Sequence, residues 1–152
     1  MKKDEYKFSF EVYDSIDELS EEDAWLLNEA RDVTEHAYAP YSHFAVGAAV
    51  LDEHGRVHAG CNVENAAHPE GLCAEAGAFS AMVLAGGRQV RALAVVADGP
   101  GLVTPCGGCR QKLREFAAPD TPVLIADRTQ LRARFTLAQL LPDSFGPEQL
   151  AR

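Results

Sequence analysis

Residues 105–116 read Pro-Cys-Gly-Gly-Cys-Arg-Gln-Lys-Leu-Arg-Glu-Phe, and residues 71–75 read Gly-Leu-Cys-Ala-Glu. Cys106 and Cys109 stand three residues apart at the opening of a segment that reads as helix. They share one face there, and the free N–H groups and helix dipole favour their thiolates. The pair fits either a thioredoxin-like redox couple or half of a zinc site. A redox couple leaves Cys73 idle, whereas zinc takes at least three protein ligands, so zinc is the stronger reading. Cys73 opens a second expected helix, which runs to Leu84 and stops at Gly86-Gly87. Two helix N-termini over one sheet can gather Cys73, Cys106 and Cys109 around one ion and leave its fourth position to water, as in catalytic sites. Zinc lowers the pKa of such a water toward neutrality. Glu75 stands close enough to take the water's proton and return it to a substrate nitrogen.

His68-Pro69-Glu70 spells a competing His-x-Glu upstream of Pro-Cys-x-x-Cys. Gly71 follows at once and disfavours a helix that would aim the ligand, whereas Phe79, Met82, Val83 and Leu84 continue the segment after Glu75. Cys73 and Glu75 are therefore preferred. His36, His43, His54 and His58 read as turn or surface residues, and Cys61 as a buried small apolar one.

Outward from these motifs, Tyr6–Tyr13 alternates in the manner of a short edge strand. Ser20 and Asp23 resemble a capping box before a helix carrying Leu26, Ala30, Val33 and Ala37, closed by Pro40. Phe44–Leu51 and Arg56–Val63 read as strands joined by the turn Asp52-Glu53-His54-Gly55. Arg91–Ala97 and Pro122–Ala126 read as further strands, and Thr136–Leu141 as a short helix. The expectation is an α/β fold of three layers, α/β/α, around a five-stranded mixed sheet. Residues 1–19 are expected to be an acidic N-terminal extension and residues 20–152 a single domain.

The 152 residues carry a formal charge of −9. Residues 1–30 hold 3 basic and 10 acidic side chains, so most of that charge lies outside the motifs. Such a balance argues against a duplex nucleic-acid binder. No apolar run reaches the roughly 18 residues of a membrane span. Met-Lys-Lys-Asp-Glu lacks the apolar stretch of a secretory signal. A cytoplasmic protein with reduced cysteines is expected.

Cys-x-Glu followed by Pro-Cys-x-x-Cys matches the zinc deaminase signature. With Ala39-Pro40-Tyr41-Ser42-His43-Phe44-Ala45-Val46-Gly47-Ala48-Ala49, Cys61-Asn62-Val63-Glu64-Asn65-Ala66 and Leu140-Leu141-Pro142-Asp143-Ser144-Phe145-Gly146-Pro147, the chain resembles the cytidine deaminase family over about residues 20–150. The resemblance is to its small, homotetrameric, three-cysteine branch. It implies Zn2+ on Cys73, Cys106 and Cys109, proton transfer by Glu75, and cytidine or 2'-deoxycytidine as substrate in pyrimidine salvage. It also implies that Asn62 and Glu64 bind the ribose hydroxyls, that Phe44 packs on the pyrimidine, and that the backbone at Ala74 and Glu75 reads the base edge. Phe145 would reach a neighbouring subunit's site, completing it within a homotetramer.

Two positions depart from the family pattern. The arginine that usually follows Cys-Ala-Glu is Ala76, and a tyrosine five residues before the first cysteine is His68. Loss of the guanidinium leaves the thiolates more electron-rich and raises the pKa of the water. The resemblance implies that both positions lie near one subunit contact, so an effect on assembly as well as catalysis is expected. The competing reading is therefore a deaminase of an N4-substituted or blasticidin-like cytosine nucleoside with weak activity on cytidine. A polynucleotide editor is disfavoured by the acidic balance and the lack of basic strips with interleaved aromatics. A zinc-stabilised scaffold without activity is disfavoured by Glu75, which a purely structural site does not need.

Overall fold

The computed structural model describes residues 3, 9–12 and 19–150. Of the expected strand Tyr6–Tyr13, residues 6–8 and 13 lie outside the described residues, as do 151 and 152. Among the described residues, six strands form one sheet in the order β1-β6-β5-β4-β2-β3. They are β1 (Glu11–Val12), β2 (Val46–Asp52), β3 (Val57–Cys61), β4 (Val90–Ala97), β5 (Pro122–Ala126) and β6 (Leu131–Thr136). β4 and β5 run parallel and the other pairs antiparallel. The helices are α1 (Glu21–Asp32), α2 (Ala74–Leu84), α3 (Gly107–Phe116) and α4 (Leu137–Leu140).

The expected five strands are thus six. The addition is β6, whose Leu131, Ala133 and Phe135 are buried while Arg132 is exposed and Arg134 half-buried. This period-two pattern was present in the sequence, but the segment lacks the Val/Ile run of the other core strands. The β1 edge strand is two described residues pairing with β6, and Phe10 beside it stacks on Phe135 at 4.6 Å.

Alternation along the strands builds the three layers. On one face Leu26, Leu27 and Ala30 of α1 bury against Ala49, Leu51, Ala94, Val96 and Leu124. On the other, Ala74, Ala78, Phe79 and Met82 of α2 and Leu113 of α3 bury against Ala48, Val50, Leu93, Val95 and Ile125. Successive strand residues point to opposite faces, so one sheet supports both helical layers. Ser20 caps α1 by accepting the Asp23 N–H at 3.1 Å. The Asp23 carboxylate does not complete a capping box; it accepts from Arg134 of β6 at 2.7 Å, tying α1 to the sheet edge.

Candidate active site

Cys73 is the N-cap of α2 and Cys106 the N-cap of α3, and neither side chain caps its helix. Ser, Thr, Asp or Asn ordinarily holds that position, because their oxygens satisfy first-turn N–H groups. Here both helices forgo the cap and turn sulfur toward a common point. Cys109, from the first turn of α3, completes the group. The three sulfurs lie within 4.8 Å of one another, with Cys73 Sγ and Cys106 Sγ 3.9 Å apart. A tetrahedral ion with Zn–S bonds of about 2.3 Å places its sulfurs about 3.8 Å apart, so the donor set fits zinc. It is the one such group of potential ligands among the described residues. His68 and Glu70 stand apart from it on an exposed 3-10 turn.

The electrostatics also favour a cation. Burial raises the Cys109 thiol above the ordinary range, and the neighbouring Glu75 and Cys73 charges push the same way. Cys73 is raised by burial too, with the Cys106 and Glu75 charges adding to it. Burial also raises Cys106, but hydrogen bonds from the Cys109 N–H and the two other thiols outweigh it, leaving Cys106 lowered. Glu75 is 4% exposed. Its burial raises its pKa, against the smaller pull of its own N–H, the Cys109 thiol and the Lys112 charge. A divalent ion relieves this crowding of acidic groups.

The sulfurs border a cavity of about 520 Å3. Phe44, Asn62, Glu64, Cys73, Ala74, Glu75 and Cys106 line it, so the structure brings together most of the residues singled out from sequence. Cys109 lies buried behind them, while Phe145 is 57% exposed and lines no part of this cavity. Asn62 and Glu64 follow β3, and both are engaged in shaping the loop before β2. Asn62 accepts from the Val46 N–H at 2.8 Å and donates to the Phe44 carbonyl at 2.9 Å. Glu64 accepts from the Tyr41 N–H at 2.9 Å and from the Ser42 hydroxyl. The Ser42 hydroxyl leads in lowering the Glu64 pKa, opposed by a smaller desolvation. A carboxylate has room for further donors, so these bonds orient Glu64 without exhausting it.

Val95, Val103 and Thr104 also line the cavity, from segments in which sequence reasoning placed no site residue, and so does His68, although it is not among the clustered ligands. Sequence reasoning also missed Arg110, whose guanidinium donates to the Pro105 carbonyl, the Thr104 hydroxyl and the Leu140 carbonyl at 2.7–2.9 Å. These three bonds hold the loop leading into Cys106. Two expectations need correction. Cys61 is only half-buried on β3, and His58 is no turn residue: it lies on β3 and donates to the buried Asp52 at 2.8 Å. Its side chain is 10% exposed.

This fold and cysteine group define a zinc-site deaminase. A family model described as the cytidine and deoxycytidylate deaminase zinc-binding region matches residues 20–125, and the chain belongs to that family. A cytidine deaminase of Sporosarcina psychrophila is 45% identical over 126 residues, covering 83% of this chain and 93% of the relative. One from Mycobacterium tuberculosis is 45% identical over 128 residues, covering 84% and 92%. The crystal structure of cytidine deaminase from Burkholderia pseudomallei superposes with a TM-score of 0.76 at 40% identity, covering 80% of this chain and 98% of that one.

Proposed function

We propose that this chain hydrolyses the C4 amine of cytidine and 2'-deoxycytidine, releasing ammonia and the corresponding uridine, as in pyrimidine salvage. The observation that carries this reading is the shared cavity: three convergent thiols and a buried glutamate at one end, and Asn62 and Glu64 on its wall. Cys73, Cys106 and Cys109 hold the zinc, whose Lewis acidity makes water nucleophilic near neutral pH. Glu75, beside the sulfurs, carries protons from the attacking water to N3 of the base and then to the departing amine. The backbone of the first turn of α2 at Ala74 and Glu75, which borders the cavity and has no helix carbonyl four residues back, reads the base edge. Phe44 packs on the pyrimidine, and Asn62 and Glu64 take the ribose hydroxyls with their remaining hydrogen-bonding capacity.

Phe145 projects from its own subunit, which suits a homotetramer in which each tail completes a neighbour's site. Residues 20–152 form the catalytic unit and residues 1–19 an extension to it. All four cysteines are free, consistent with a reducing cytoplasm, and no described helix is long and apolar enough to cross a membrane.

Incubation of the zinc-loaded protein with cytidine tests this, with ammonia and uridine as readouts. Glu75→Gln should retain zinc yet lower kcat about 10²–10⁴-fold, the usual worth of a positioned general acid–base. No product from wild type on either sugar would overturn the reading in favour of a modified cytosine nucleoside. An N4-substituted cytidine assayed in parallel would show that directly.

A further inference from the structure

The helix that delivers Cys106 and Cys109 also grips the C-terminal tail. Gln111 donates from Nε2 to the Phe145 carbonyl at 2.9 Å. One turn further on, Arg114 donates from Nε to the Ser144 hydroxyl at 2.9 Å and pairs with the Glu148 carboxylate. The Arg114 side chain is only 13% exposed. Its guanidinium lies flat against Gly146, where a Cβ would fall 2.3 Å from Arg114 Cζ. Gly146 has an ordinary extended φ of −145°, so a side chain there meets no backbone strain and would only push the Arg114 guanidinium from its place. The tail is closed on itself as well, by the Gly146 N–H donating to Gln149 Oε1 at 2.6 Å. Every polar group of residues 144–146 named here faces α3 or the tail itself. The Phe145 ring is the part turned outward, 57% exposed.

We infer that Gln111 and Arg114 are positioning residues that latch the tail to α3 and present the Phe145 ring in a preset direction to a second copy of this chain. This rests on the reading that Phe145 serves a neighbour's cavity. An unlatched tail samples many orientations, and ordering it at each encounter weakens binding. Because the latch springs from the helix bearing two zinc ligands, Phe145 is held rigidly relative to its own metal site as well.

The test is steady-state kinetics on cytidine with the zinc-loaded Arg114→Ala, Gly146→Ala, Phe145→Ala and Arg114→Ala/Phe145→Ala proteins. Amide hydrogen exchange over residues 142–150 and thermal melting accompany the kinetics. Gly146→Ala keeps the arginine but displaces its guanidinium, and so perturbs the latch without removing a charge. Each single variant is expected to raise KM about tenfold, the scale of one charge-assisted contact, with kcat within about twofold of wild type. The double variant should be no worse than Phe145→Ala alone. Tail exchange should accelerate in Arg114→Ala and Gly146→Ala but not in Phe145→Ala, and Arg114→Lys should recover part of the KM. Raised KM in Phe145→Ala with wild-type KM in both latch variants would overturn the latch alone. Wild-type KM in Phe145→Ala would overturn the neighbour-site reading and the latch's role with it. Additive effects in the double variant would also overturn the latch.

Discussion

Asp52 has no exposed side-chain surface, yet it is held charged by its neighbours. Its carboxylate accepts from the His54 and Arg56 N–H groups, Arg56 Nε and His58 Nε2, all at 2.8–2.9 Å. Arg56 reaches on to the Ala85 carbonyl at the end of α2, so this cluster fastens the β2–β3 turn to that helix. Burial alone would raise the Asp52 pKa, but the His58 and Arg56 bonds outweigh it and hold the group well below the usual carboxylate range. A depressed folded-state pKa means that the contribution is complete above the unfolded value of about 3.9 and is lost as pH falls below it. Asp52→Ala should cost about 3 kcal/mol in urea unfolding at pH 7, since it strands buried donors. The gap to wild type should narrow as pH drops below about 4, and a constant gap down to pH 2 would contradict this account. None of it was legible in the sequence, where Asp52 and His58 read as turn and surface. The convergence of Cys73, Cys106 and Cys109 beside Glu75 was legible because helix starts and short spacings place them almost locally.

At the scale of elements, the approach of α2 to β3 decides where Cys73 and Glu75 sit. A Cβ on Gly60 would lie 2.5 Å from the Ala74 carbonyl oxygen and the Ala78 nitrogen, both backbone atoms that side-chain rotation does not relieve. Gly60→Ala should therefore push the start of α2 off the sheet, costing about 1–3 kcal/mol and weakening zinc retention against a chelator. Gly77, across the same contact, has its nearest neighbour at 3.4 Å, the Gly60 Cα. Gly77→Ala fits there and recovers up to about 1 kcal/mol of helix propensity, so its Tm should rise by about 2–4 °C. Melting curves of the two variants should move in opposite directions. Sequence reading placed α2 correctly and treated Gly77 as a cost within it. The partner glycine on β3 was invisible because the contact joins residues 17 positions apart, and no local pattern announces it. β6 was missed for a related reason: its strand character is settled by pairing with β5 and by burial of Phe135.

Across the whole molecule, zinc and the sheet edge make separable contributions. A chelator should abolish deamination and lower Tm by more than about 5 °C, because an ion bound only to the folded state stabilises it by mass action; added zinc should restore both. An unchanged Tm on zinc removal would mean that the three cysteine positions are set by packing alone. Deleting residues 1–13 removes β1 and the Phe10–Phe135 stack, leaving β6 as an open edge. Tm should then fall by about 2–4 °C with kcat unchanged, and scattering should report any edge-to-edge association. By itself the sequence determined the layer architecture, the three cysteines that converge and most of the singled-out residues that meet at the cavity, because helical and strand periodicities and helix-start cysteines are local signals. Only the tertiary structure decided the sixth strand, the Asp52 cluster, the glycine contact under α2 and the grip of α3 on the tail. Each depends on groups far apart in the chain whose hydrogen bonds and packing exist only once the sheet and its two helical layers have closed on one another.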